Sequence, residues 1–417
     1  MQSVIRKVAK DDCADLANIL VKAYPSPNGD TEESIAKLAQ HLRNDLDKAD
    51  PIRFYGAFRN GKLLGAVKLY EFIMNFRSVK VRLGGIAGVC VHFLHKKEKV
   101  ARDLLAFALN DFHAKGIHVA SLYPFQTEFY KKMGFGYGTM KHQFRIKPNA
   151  FPRGTSKRNI DYLTEADRQD VLACYRRYFE ATTGMFERRE ADLDSMFSFG
   201  NTAVGVRQNG EITGHIVFHF KQVIAEYSQK YNLVVSDLIF NTPEALSELC
   251  TFLHSQSDQI HQVIITAQDE NFFYLFDDPT NGKIDSFETA ALESCVTAVG
   301  CMYRVLDVRG IFSELSACDF GGVTCKLKIT ISDDFYESND GSTIVHFYNG
   351  RVHAAEDESF DVAISLNVAN FSSLLVGAVR FNSLYNYGLV KLSDPLYREK
   401  VDRLFSTDRY PRSDTFF

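Results

Sequence analysis

Val89-Cys90-Val91-His92-Phe93-Leu94-His95-Lys96-Lys97-Glu98-Lys99-Val100-Ala101-Arg102 is the stretch on which the fold turns. An apolar strand ends at Val91, a short basic loop follows, and a helix starts at once. Val100, Leu104, Leu105, Ala108, Leu109 and Phe112 recur at helical spacing over 100–115, with Gly116 beyond the end. A helix N-terminus offers unpaired backbone N–H groups and the positive end of a dipole, which suit a pyrophosphate. Lys96, Lys97 and Lys99 add positive charge there. An ordinary solvated basic loop is the alternative reading of the same residues.

Upstream of this join, Ser3–Val8 reads as a strand, and Leu16, Ile19, Leu20 and Ala23 as a helix that Pro25 stops. Ile35, Leu38, Leu42 and Leu46 mark a second amphipathic helix. Phe54–Phe58 and Leu63–Tyr70 form a hairpin across Asn60–Gly61, a dipeptide suited to positive φ. Val79–Leu83 runs through Gly84–Gly85 into Ile86–Val91. Downstream come a strand at Val119–Leu122, a short helix around Thr127–Met133, a Gly134-Phe135-Gly136 turn and a strand near Thr139–Ile146. The order β-α-α-β-β-β-α-β-α-β predicts an α/β layer with a mixed sheet.

Ser121 through Gly138 carry the second informative segment, with Phe129-Tyr130-Lys131-Lys132-Met133-Gly134-Phe135-Gly136 at its centre. Tyr130 is the candidate general acid, since a phenol with a pKa near 10 can protonate a leaving thiolate. A core tyrosine with a satisfied hydroxyl is the other reading, in a chain with 19 tyrosines.

Pro148, Pro152 and Gly154 beside Arg153, Lys157 and Arg158 mark a linker. Residues 160–290 then repeat the opening pattern more weakly. Asp161–Leu163 precedes a helix from Ala166 to Glu180, and Ala203–Val206 meets Ile212–Phe220 across Asn209–Gly210. This second copy has no basic or glycine-containing loop ahead of its Leu246–His254 helix. The last third changes character: Cys301–Val308 leads to a helix, and Cys325–Ile331, Ser342–Tyr348, Arg351–His353 and Ala363–Asn367 alternate like antiparallel strands. Helices at 370–380 and 395–405 complete a separate α+β domain.

A length of 417 residues exceeds one ordinary core and implies two to four domains. The formal net charge of -4 gives no global basic field for nucleic acid. No apolar run reaches the roughly 20 residues of a membrane span, and the N-terminus carries no signal-peptide pattern. The eight cysteines form no CxxC pair, so a reduced, metal-free, cytoplasmic protein is expected.

Taken together, the strand, basic loop, helix, strand and FYxxxGF order resembles the GNAT acetyltransferases. The whole chain is similar to the Eis (enhanced intracellular survival) family, through the FYKKMGFGYG stretch, the MYRVLDV segment and the terminal phenylalanine. The resemblance implies a catalytic GNAT domain at 1–152, a degenerate GNAT domain at 153–295 and a sterol-carrier-protein-like domain at 296–417. It implies acetyl-CoA held by Val89, Cys90 and Val91 along the pantetheine arm, by Lys96, Lys97, Glu98, Lys99, Val100, Ala101 and Arg102 at the pyrophosphate, and by Phe125 and Gln126. It further implies Tyr130 as acid, the terminal carboxylate of Phe417 as base, Tyr24 in the acceptor channel, and a homo-hexamer. The acceptor implied is a primary amine on a small cationic molecule, aminoglycoside- or lysine-like, with Asp30, Glu32, Glu33 and Asp414 as candidate acidic walls. A non-catalytic acyl-CoA- or lipid-binding protein is the alternative. The loop departs from the family pattern at Lys99, where a glycine usually stands, and at Glu98, which brings negative charge near an anion site; the β-carbon of Lys99 is expected to strain or widen the loop.

Overall fold

The computed structural model describes residues 3–26, 29–47, 52–223, 230–282, 291–353 and 358–417. The chain opens with β1 (Val4–Lys7), α1 (Cys13–Ala23), α2 (Glu32–Asp47), β2 (Arg53–Arg59), β3 (Lys62–Phe76), β4 (Val79–Val91), α3 (Val100–Ala114), β5 (Val119–Leu122), α4 (Thr127–Lys131) and β6 (Gly136–Tyr137). Asn60 and Gly61 turn β2 into β3 with φ of +52° and +77°, the backbone their side chains tolerate best. The α3 stripe from Val100 to Phe112 is buried on one face of the sheet, and Leu16, Ile19, Ala39 and Leu42 of α1 and α2 are buried on the other. Each fully buried side chain of this size contributes roughly 1.5–3 kcal/mol. Gly84 and Gly85 do not break β4. They leave room for rings, because a Cβ on Gly84 would lie 2.5 Å from Phe112 and one on Gly85 2.5 Å from Phe72.

Next follow β7 (Lys141–Ile146), β8 (Ile160–Tyr162), α5 (Arg168–Ala181), β9 (Thr202–Gln208), β10 (Glu211–Gln222), β11 (Tyr231–Phe240), α6 (Pro243–His254), β12 (Ile260–Ala267) and β13 (Cys295–Ala298). They form a sheet of order β13-β7-β12-β11-β10-β9-β8. Asn209–Gly210 makes the expected hairpin, with φ of +52° and +84°.

The last part contains β14 (Met302–Val305), α7 (Val308–Glu314), β15 (Cys325–Ser332), β16 (Gly341–Tyr348), β17 (Arg351–His353), β18 (Val362–Asn367), α8 (Val368–Leu375), α9 (Phe381–Asn386), β19 (Lys391–Leu392) and α10 (Arg398–Phe405). The third sheet runs β17-β16-β15-β18-β19. Its β15–β18 pair is parallel, where alternation alone suggested antiparallel neighbours throughout.

Two strands sit where the linear reading does not put them. β7 pairs with β12 and β13, and β14 enters the first sheet between β5 and β6, giving β1-β2-β3-β4-β5-β14-β6. The chain accordingly resolves into one compact unit of 1–138, 301–408 and 416–417, and another of 139–300 and 409–415. Among the described residues no helix is long and apolar enough to cross a membrane.

Candidate active site in the split of the first sheet

β4 and β5 run parallel, and their pairing stops at Ile86–Leu122. β4 continues five residues further, and among the described residues only β3 pairs with this extension, so no strand lies along its other edge. A bulge lies in this extension. Ala66 faces Cys90, but Lys68 faces Ala87, so Gly88 and Val89 together oppose one residue of β3, and Gly88 takes φ +54°. Past the bulge, the His92 amide donates to Leu64 O (2.8 Å). Antiparallel alternation therefore turns the amide and carbonyl of Val91 to the open side. An unpaired strand edge of this kind accepts an extended, amide-bearing ligand as if it were another strand.

Tyr24, the C-cap of α1, donates its hydroxyl to Val89 O at 2.8 Å and so pins the bulge. Desolvation, with Cys90 nearby, pushes the Tyr24 phenol up to about 12. Cys90 is buried, and burial pushes its thiol up to about 12 as well. By the same alternation the Cys90 backbone faces Ala66 of β3, so Cys90 supports the strand and offers the open side neither a reactive thiol nor a free amide.

The eight residues His92–Lys99 join β4 to α3. Lys97 and Lys99 both adopt left-handed backbone, at φ +71° and +63°. Lys99 thus takes the conformation a glycine would take there, at about 1–2 kcal/mol of local strain. The first bond of α3 runs from the Asp103 amide to Lys99 O, so the preceding amides at the helix start have no partner within the helix. Neither Lys97 nor Lys99 is ion-paired among the described residues, and Lys96 Nζ lies 4.1 Å from the Phe93 ring centre. Glu98 is drawn aside: Arg59 Nη1 reaches its Oε2 at 2.6 Å, and His95 Nδ1 lies 3.1 Å from Oε1. Arg59, then His95, holds its carboxyl below the usual range. The loop is therefore net basic, with Glu98 held aside by Arg59 and His95.

Tyr130 lies on α4 and is buried, with the rings of Phe129, Phe125 and Phe135 at 5.1, 6.0 and 6.2 Å. Burial, reinforced by the neighbouring Tyr24 phenol, raises its pKa. The turn after α4 closes back on it, since the amides of Met133 and Phe135 both donate to Tyr130 O (2.9 and 3.1 Å). Arg304 of β14 is wholly buried, donates to Met133 O at 2.5 Å, and forms a two-bond pair with Asp333 (2.8 and 2.6 Å). Gly134 has φ +80°, and a Cβ there would meet Arg304 Nη1 at 1.4 Å. Phe125 and Gln126 are exposed at the start of α4.

Phe417 packs on this unit. Its ring lies 4.9 Å from Phe72, 5.5 Å from Tyr123 and 5.6 Å from Tyr70, on the face of the sheet that Gly85 leaves open. Of the candidate acidic walls, Asp30, Glu32 and Glu33 are exposed near the start of α2, with Glu33 paired to Lys37 at 2.6 Å. Asp414 belongs to the other unit. Arg59, Tyr123, Arg304 and Asp333 had no local signal to single them out; the MYRVLDV segment was the nearest pointer, since it contains Arg304.

Acetyltransferase (GNAT) domain models match residues 4–138 and 173–305, and a sterol carrier protein domain model matches 313–412. The fold aligns over the full chain with Eis1 from Mycobacterium abscessus (TM-score 0.75, 19% identity, 100% of both chains). The chain carries two domains of the GNAT acetyltransferase family followed by a sterol carrier protein domain, in an architecture it shares with the Eis fold. GCN5-related N-acetyltransferases from Anabaena variabilis (TM-score 0.83, 16% identity, 100% of both chains) and Kribbella flavida (TM-score 0.79, 16% identity, 100% of this chain and 99% of that one) share the same fold. A curated relative from Streptomyces avermitilis, an uncharacterized N-acetyltransferase, is 24% identical over 270 residues; the match spans 61% of this chain and 64% of the relative, less than two thirds of its length.

GNAT domains imply acetyl-CoA as co-substrate. Among the described residues the first sheet offers an open strand edge, helix-start amides with no partner inside the helix, and lysines beside them that are not ion-paired.

Proposed function

We propose that this acetyltransferase moves the acetyl group of acetyl-CoA to a primary amine on a small cationic molecule, of the aminoglycoside- or lysine-like kind. The observation that carries this reading is the open edge of β4 at Val91, next to a Tyr24 hydroxyl that holds Val89 O and whose phenol lies close enough to the buried Tyr130 to raise its pKa. When bound, acetyl-CoA supplies an activated thioester carbonyl. Val91 holds its amide-bearing arm by backbone, on the strand end that Val89 and Cys90 complete. The amides and side chains from Lys96 to Arg102 take the pyrophosphate charge, and Phe125 and Gln126 complete the grip.

Amines of this class are protonated at neutral pH, so one proton must leave before attack. We read the Phe417 carboxylate as the base; the Phe417 ring packs on Phe72, Tyr123 and Tyr70. Lys68 Nζ already lies 4.9 Å from the Tyr70 ring centre and 5.2 Å from that of Phe54. The aromatic surface on which Phe417 sits therefore favours cations, which supports a cationic acceptor. A cavity of about 190 Å³ beside the Gly88 bulge, walled by Leu16, Leu38, Leu42 and Phe54 with His41 and Asp45, offers room for an aliphatic amine. The β4 edge donates to the developing oxyanion. Tyr130 gives its proton to the departing sulfur; its raised pKa keeps it protonated throughout the neutral range, and the dry site raises the thiolate's basicity with it. A homo-hexamer is the assembly the family resemblance suggests.

Thiol release from acetyl-CoA across a panel of polyamines, aminoglycosides and lysine derivatives tests the reading. Turnover with at least one amine is expected; coenzyme A binding with no thiol release from any of them overturns it in favour of a sensor or binding protein.

A further inference from the structure

The second GNAT fold repeats the split of the first. β11 takes the place of β4 and β12 that of β5, and their parallel pairing stops at Val234–Ile264, leaving β11 to run on to Phe240. The bulge is repeated as well: Val217 faces Asp237 but Phe218 faces Val235, so Ser236 is the extra residue. Here the comparison ends, because this cleft is filled by protein. The segment 409–415 belongs to this unit. Its Arg412 amide donates to Thr183 O at 2.9 Å, and the Arg412 guanidinium donates to Tyr178 Oη and Asp269 Oδ2, each at 2.7 Å. The Ser413 amide donates to Gln268 Oε1, at the end of β12. Pro411 and Ser413 are buried. Gly184, at φ +88°, is needed for the fit, since a Cβ there would stand 2.6 Å from Arg412 O.

The space that remains is about 110 Å³, lined by Ser236, Asp237, Gln268, Arg412 and Asp414 among others. That is well short of the roughly 300 Å³ at which cofactor pockets begin. The phosphate cradle is missing too. Only Asn241 and Thr242 separate β11 from α6, Pro243 has no amide to offer, Thr242 caps the Ala245 amide with its own hydroxyl (3.1 Å), and Glu244 adds negative charge. Behind the bulge Arg188 grips Asp237 through two bonds (2.6 and 3.1 Å), and His215 Nε2 lies 3.1 Å from Asp237, so the cleft floor is already neutralised.

We propose that the cleft of the second GNAT fold is a peptide-binding site whose ligand is this chain's own Arg409–Thr415, seated where the first fold has its open strand edge. Its role is to anchor the terminus: two residues after Thr415 the chain ends at the carboxylate of Phe417. Arg412 is then a positioning residue, and that catalytic consequence rests on the reading of the Phe417 carboxylate as base.

The test uses a chain ending at Asp408 and the synthetic nonapeptide Arg409–Phe417. The shortened chain is expected to bind the peptide saturably by calorimetry and to regain turnover with it. An R412A peptide should bind about 10–100-fold more weakly, as the loss of charge-assisted bonds implies. A peptide ending in a carboxamide should bind as tightly as the parent yet restore nothing. Equal affinity of the R412A and parent peptides overturns the anchor; full rescue by the carboxamide leaves the anchor standing and sinks the base. If the shortened chain fails to fold, the full-length R412A variant replaces it. There kcat should fall at least about tenfold with KM for acetyl-CoA unchanged, and the Ser413 amide should lose hydrogen-exchange protection. Unchanged protection of Ser413 in that variant overturns the proposal, as does calorimetry that finds two coenzyme A molecules per chain instead of one.

Discussion

Eight residues, His92–Lys99, lie between strand and helix in the first GNAT fold; two, Asn241 and Thr242, lie there in the second. Both folds share strand order, bulge and split. The longer join leaves room for two left-handed lysines and for helix-start amides with no partner inside the helix. The shorter one is closed by Thr242, Pro243 and Glu244. The same sheet therefore leaves its split open beside a basic join in the first fold, whereas the second fold has a closed join and a split occupied by Arg409–Thr415. Topology supplies the slot, and the join decides its occupant.

The first way to break this contrast strikes a buried pair in the open-cleft unit. Arg304→Met strips Asp333 of its charged partner, leaving the Phe335 and Tyr336 amides and Asn339 as its donors, and Met133 O of its Arg304 donor; it should cost about 3–5 kcal/mol of stability, read by denaturant unfolding. A loss under about 1 kcal/mol would mean that the turn after Tyr130 is held by packing alone.

Next in size is the terminus itself. Adding one glycine after Phe417 should cut kcat about 10²–10³-fold and leave acetyl-CoA affinity unchanged, since a general base contributes on that scale. Tyr130→Phe should cut kcat about 10²-fold without changing the unfolding midpoint by more than a few degrees. Because burial raises the Tyr130 pKa, its protonated, active form is fully present below pH 10 and is lost only above it. The pH profile of kcat should therefore show no basic fall due to this acid up to about pH 10; a fall centred near 8 would assign the acid elsewhere.

The smallest effect concerns the join. Lys99→Gly should stabilise the first fold by up to about 1 kcal/mol by relieving left-handed strain, and raise KM for acetyl-CoA only a few-fold through the lost charge. A large fall in affinity would show that the Lys99 ammonium, more than the backbone, holds the phosphates. In the other unit Asp237 gives the matching pH signature. Burial alone would push its carboxyl up, but Arg188 and His215 outweigh it and hold it low. Its contribution is thus present above the unfolded value near 3.9 and disappears as pH falls below that. The anchor should stay intact from pH 7 down to about 4 by hydrogen exchange at Ser413.

The strand-loop-helix at 89–102, the FYKKMGF turn and the hairpins at Asn60–Gly61 and Asn209–Gly210 were legible because each is set by neighbours a few residues apart. Periodicity, turn chemistry and helix ends are local physics, and they were sufficient to name the fold and its open cleft. Phe417 was singled out through family resemblance alone, and the fold packs its ring on Phe72, Tyr123 and Tyr70. Local rules also raised two objections, at Lys99 and Glu98, which the folded chain answers with left-handed backbone and with Arg59, 39 positions away from Glu98. The exchange of β7 and β14, the support of the Tyr130 turn by Arg304 and Asp333, and the seating of Arg409–Thr415 in the second cleft were decided by tertiary structure alone. Each joins residues far apart in sequence, and short apolar strands such as Met302–Val305 fit many sheet edges equally well until packing selects one.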